Sequence, residues 1–112
     1  MRATFDREIA LTQAGGSESL LAELAGVFRR ECPALLAQLR DAIENGDAAS
    51  VRRIAHTLKG SAGVFGAEPV VEAALRLEQM GKAEQLGDAP EALARLQVEA
   101  DRLMEALAAE AE

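Results

Sequence analysis

The chain has 112 residues, 49% of them hydrophobic and 28% charged, enough for one globular core and far from a disordered composition. Its net charge of −7 argues against nucleic acid and anionic membrane surfaces as partners. No apolar run approaches the ~20 residues of a membrane span and no signal-peptide pattern opens the chain, so the expected location is the cytoplasm.

Aromatic residues are only 3%, without Trp or Tyr, whereas Ala, Leu, Glu and Arg dominate, and that mixture favours helices over sheets. Residues 5–14 read as a short helix with Ile9 and Leu11 as apolar contacts and Gly15-Gly16 as its stop. Ser17 is a good N-cap for a second helix running to Asn45-Gly46. Its stripe is Leu20 or Leu21, Leu24, Val27 or Phe28, Cys32, Leu35 or Leu36, Leu39 and Ile43, a helical period held for about seven turns. Pro33 removes one hydrogen bond and predicts a kink near Arg29 or Arg30. The stripe continues past it in phase, which favours one bent helix over two. The single Cys32 cannot form an internal disulfide and fits a small core position in a reducing compartment.

Asp47 caps a third helix, which holds the stretch 51–66 and is closed by Gly66. Pro69 starts a fourth, with Val70, Ala74, Leu77 and Gly81 on one face and Val71 and Leu75 on another. Residues 83–90 read as a loop, and Asp88 with Glu91 three residues later resembles a capping box. The last helix carries Leu93, Leu96, Ala100, Leu103 and Leu107 at the spacing of a bundle seam. Nothing alternates with period two, and no repeat or linker divides the chain. The expected fold is all-α: an antiparallel four-helix bundle with a short extra N-terminal helix, residues 1–112 forming one domain.

The third helix, VRRIAHTLKGSAGVFG, holds the only histidine. At roughly 100° per residue, Val51, Ala55, Leu58, Ala62 and Phe65 fall within about 40° of one direction, with Ile54 beside them. His56 points about 140° away from this buried stripe and should face solvent. Gly60 and Gly63 follow it one and two turns on, Lys59 lies at i+3, and Arg52 and Arg53 precede it by one turn. A mid-helix glycine costs about 0.8–1.0 kcal/mol relative to alanine. Two of them beside an exposed ring imply that something approaches it closely. The surrounding cations favour an anion, and a phosphoryl group is the natural candidate. An unperturbed histidine titrates near about 6.5, so much of it is the nucleophilic free base at neutral pH. Lys59 would steady the phosphoryl oxygens, and Gly60 would give clearance unless it serves a tight helix crossing. Arg52, Arg53, Gly63 and Val64 are weaker candidates for partner contact.

The run AHTLKGSAGVFGA, residues 55–67, places a lysine three and a glycine four residues after the histidine. It resembles the histidine-containing phosphotransfer (HPt) domain family, and the resemblance extends more loosely over most of the chain. The resemblance implies a helical bundle and a phosphoramidate at Nε2 of His56. It also implies exchange with an aspartyl phosphate in the receiver domain of a response regulator or hybrid histidine kinase. Mg2+ would then be supplied by the receiver, and the domain would act as a monomer. Glu78, in RLEQM, matches a family tendency for Leu-Glu and reads as a surface or interhelical polar contact without a catalytic role.

Other chemistries fit less well. Zinc needs three or four ligands, and the chain has one His and one Cys with no Glu-x-x-His pair. Haem ligation by His56 with Met80 or Met104 would need an inward ring, and no C-x-x-C-H occurs. No G-x-x-x-x-G-K-[ST] or kinase-like glycine loop is present, so neither cofactor nor autophosphorylation is expected. A non-catalytic helical adaptor is the competing class, and the phosphorylated domain of a chemotaxis-type kinase is a third.

Overall fold

The structure, a computed structural model, describes residues 3–111. They form α1 (Arg7–Gln13), α2 (Glu18–Glu44), α3 (Ala48–Gly63), α4 (Glu68–Ala83) and α5 (Ala89–Ala108), with no strand among them. Three helices begin on a side-chain cap. Asp6, Ser17 and Asp47 accept from the backbone N–H groups of Ile9, Leu20 and Ser50, each satisfying a donor the helix cannot. The Ser50 hydroxyl also donates to Asp47 at 2.6 Å, and these bonds hold the Asp47 carboxyl below the usual range.

The expected capping box at Asp88 does not form. Asp88 is the N-cap of α5, but its ψ of 8° is far from the extended value at which a side-chain oxygen reaches back to the first turn. Pro90 also removes an N–H from that turn. The loop is correspondingly shorter than expected, because Ala83 completes α4 and Ala89 opens α5.

α2 is one continuous helix with Pro33 on its exposed face. The open choices in its stripe resolve to Leu21, Phe28 and Leu36, which are buried beside Ala25, Cys32, Leu39 and Ala42. Leu20 and Val27 stay 40% and 38% exposed. The four long helices close a ring, α2 on α3, α3 on α4, α4 on α5 and α5 on α2, with α3–α4 the most extensive pairing. Val51, Leu58, Leu77, Leu96, Leu103 and Leu107 fill its centre. One carboxylate, Glu99, is also buried, at 5% exposure, with Arg95 at 2.9 Å and Arg102 at 3.5 Å as its partners.

α3 starts directly after its Asp47 cap, as expected, but ends at Gly63, with Val64 as its C-cap. Phe65 lies beyond the helix yet remains buried, meeting Phe28 edge-on at 5.7 Å. Gly66 therefore does not close α3 directly; it supplies a left-handed turn (φ 59°) against which α1 docks. A Cβ on Gly66 would lie 3.0 Å from side-chain atoms of both Asp6 and Ile9, and the Asp6 N–H donates to the Phe65 carbonyl at 2.9 Å. Arg7 ties this short helix to Glu18 of α2 and to Glu110, the latter at 3.0 Å. No described helix is long and apolar enough to cross a membrane.

Candidate functional site

The inward stripe of α3 fixes what faces out. With Val51, Ile54, Ala55, Leu58 and Ala62 buried, His56 is carried to the surface, its side chain 67% exposed. Gly60 and Gly63 are exposed too, and a Cβ built on either meets no atom within 4 Å. Gly60 is therefore not a crossing glycine, and the space over it is open to an approaching partner. Arg52 and Arg53 are exposed one turn before the ring.

Glu78 of α4 supplies the contact that sequence reasoning undervalued. Its Oε2 lies 2.9 Å from His56 Nδ1, and its Oε1 lies 2.6 Å from Lys59 Nζ. The first contact is a hydrogen bond; the second is an ion pair without hydrogen-bond alignment, to an oxygen shielded from solvent. Glu78 is an interhelical polar contact, but it touches the ring itself and so bears on the ring's chemistry. Its Leu-Glu context in α4 gave a weak signal. What could not be read was that α4 lies beside α3 in the register that sets Glu78 between His56 and Lys59. Lys59 is correspondingly less open than its helix angle predicted, at 28% exposure, because it leans onto Glu78.

The arrangement dictates a tautomer. An ionised carboxylate only accepts hydrogen bonds, so Nδ1 carries the proton and the neutral ring presents the lone pair of Nε2 outward. Glu78 stays ionised because Lys59, and then His56, hold its carboxyl below the usual glutamate range despite partial burial. A lowered folded value means this contribution to stability is complete above the unfolded glutamate pKa and is lost as pH falls through the lowered one. In a carboxyl-detected NMR titration, Glu78 should therefore titrate below an ordinary glutamate. Lys59→Ala should move it upward, since Lys59 is the principal cause.

Val64 is half-buried and, with Ser61, forms one wall of an apolar groove between α3 and α2. Leu24, Val27 and Leu35 form the other wall of this space of about 120 Å³. Cys32 sits at its floor, where burial pushes the thiol up to about 11, so it is a small core residue without thiolate reactivity. Among the described residues no group of three or more His, Cys, Asp and Glu side chains is placed to hold a metal ion.

Comparison with known proteins agrees with this fold. Histidine-containing phosphotransfer protein B (HptB) from Pseudomonas aeruginosa PAO1 superposes with a TM-score of 0.90 at 22% identity, over 98% of this chain and 96% of that one. The HPT domain of the Hpt sensor hybrid histidine kinase from Shewanella superposes with a TM-score of 0.80 at 20% identity, over 93% and 90%. At these identities the superpositions establish the fold. A search of curated proteins found no significant match. The family model described as Hpt domain matches residues 23–110, which takes in α3, α4 and every residue of the site. The chain thus belongs to the Hpt domain family, phosphocarriers rather than kinases, which carry out histidine phosphotransfer in phosphorelays and interact there with receiver domains and histidine kinases.

Proposed function

We propose that His56 is the phosphoryl acceptor, that Nε2 is the bonding atom, and that residues 1–112 act as one monomeric cytoplasmic carrier. The observation that carries this reading is the Glu78–His56 Nδ1 contact at 2.9 Å, which turns the other ring nitrogen outward as a free base. The Nε2 lone pair attacks the phosphorus of a receiver aspartyl phosphate. The P–O bond to that aspartate breaks, and the aspartate leaves as a carboxylate. The ring gains positive charge, which the Glu78 carboxylate at Nδ1 offsets. Delivery to a second receiver runs the same steps backwards.

Lys59 supports the transferring oxygens. In the resting domain it rests on Glu78, one helical turn from His56, where arriving phosphoryl oxygens compete with the carboxylate for it. The Mg2+ ion belongs to the receiver, because Glu78, the carboxylate paired with His56 among the described residues, is already engaged by the ring and by Lys59. Gly60 and Gly63 leave the ring approachable, while Arg52, Arg53 and Val64 with the apolar groove offer a docking rim.

Incubation with a panel of 32P-labelled receiver domains tests this function. Rapid transfer to the chain from at least one receiver, and return to an unlabelled one, is expected. No transfer from any receiver, with binding retained, would point instead to an adaptor.

A further inference from the structure

Of the glycines inside helices, Gly81 alone is buried. A Cβ there would lie 2.7 Å from both the Ala48 carbonyl oxygen and the Arg52 amide nitrogen, and 3.0 Å from Arg52 Cα. These are backbone atoms of α3, so no side chain can rotate away to make room. α4 thus crosses α3 at a spacing that only glycine permits, although a mid-helix glycine weakens the helix that carries it.

The crossing stands next to the site. Glu78 precedes Gly81 by three residues on α4, and His56 follows Arg52 by four on α3. At 1.5 Å of rise per residue, the site is only about 4.5–6 Å along either axis from the contact. Any opening at Gly81 is therefore felt where Glu78 reaches across.

Taking His56 as the acceptor proposed above, we infer that Gly81 is a positioning residue for phosphoryl transfer. Its bare Cα lets α4 approach closely enough for Glu78 to engage His56 Nδ1 and Lys59 together. A methyl group at 81 has to move out from 2.7 Å to the ordinary contact range that begins at 3.4 Å, an opening of about 0.7 Å. Added to the 2.9 Å His56–Glu78 contact, that opening passes the ~3.2 Å limit of a good N–H···O bond. Gly60 and Gly81 then have separate tasks: the first clears the outside of α3 for a partner, the second brings α4 against its flank.

The test reads the single imidazole by 15N NMR, which reports the tautomer without any phosphoryl donor. Gly81→Ala is expected to keep its helix content while the Nδ1–H fraction of the neutral ring falls. Phosphoryl transfer from a receiver should slow about tenfold, the order expected for one lost charge-assisted hydrogen bond, with receiver affinity nearly unchanged. Glu78→Ala should do the same, and the double variant should be no slower than Glu78→Ala alone, because both act through one contact. Should the Gly81 variant fail to fold, Glu78→Asp withdraws the carboxylate by one methylene with the crossing intact, and the same tautomer shift is expected. An unmoved ring ratio in folded Gly81→Ala or in Glu78→Asp, or additive losses in the double variant, would overturn the positioning role. A parent chain that accepts no phosphoryl group would instead remove the acceptor role, so the two failures are distinguishable.

Discussion

Replacing His56 with glutamine is expected to abolish labelling by a phosphorylated receiver while leaving the fold in place. The ring is mostly exposed, and exposed substitutions usually change stability by no more than about 0.5 kcal/mol. Glutamine can still donate an N–H toward Glu78, so Lys59 keeps its setting. What it lacks is a basic nitrogen, since the amide lone pair is delocalised into the carbonyl. Thermal melting should therefore match the parent while labelling falls to background. Labelling of the parent should be lost in acid and kept in base, as for a phosphoramidate. Undiminished labelling of His56→Gln would move the acceptor to another side chain.

The second large effect is expected at Gly60. No atom lies within 4 Å of a Cβ built there, so bulk is tolerated by the domain and felt only by a partner. Gly60→Ala should even favour the helix, by about 1 kcal/mol. Gly60→Glu adds volume and a negative charge one turn from the ring, and should weaken receiver binding at least tenfold by steric and like-charge repulsion. Lys59→Ala should behave differently, slowing transfer with binding comparatively intact. Its effect has two parts, because it removes a cation and also leaves Glu78 as an unpaired carboxylate beside the incoming phosphoryl group. Titration calorimetry against single-turnover transfer separates the two positions. Parent-like binding and transfer by Gly60→Glu would end the clearance argument.

The long amphipathic patterns made most of this architecture legible. The inward stripe of α3 placed His56 outside without any tertiary information, and the bundle followed from four such stripes joined by short turns. Errors gathered at helix ends, where local competition decides. Phe65 fits the α3 period by angle, yet the helix stops before it and the ring enters the core from the turn. Asp88 had the right residue type for a cap without the backbone angles to use it.

At the site, the residues on one helix were readable and the residue on the neighbouring helix was not. His56, Lys59 and Gly60 share a helix, so spacing alone relates them. Glu78 meets them through the axial register of α4 on α3, which depends on the Gly81 crossing and on no periodicity within either segment. Gly81 itself lay on the correct inward face of α4, but its closeness to the Arg52 backbone is a property of the pair of helices.

On the proposed function, Glu78 holds the proton on Nδ1 and leaves Nε2 of His56 to take the phosphoryl group. A 1H–15N correlation spectrum of histidine-labelled protein, recorded before and after phosphorylation by a receiver, observes both nitrogens at once. With one imidazole in the chain, every signal belongs to His56. The expected result is a neutral resting ring protonated at Nδ1, and after phosphorylation a 31P coupling at Nε2 with the Nδ1 proton retained. A resting ring protonated mainly at Nε2, or a phosphorus coupling at Nδ1, would rule out this role for Glu78.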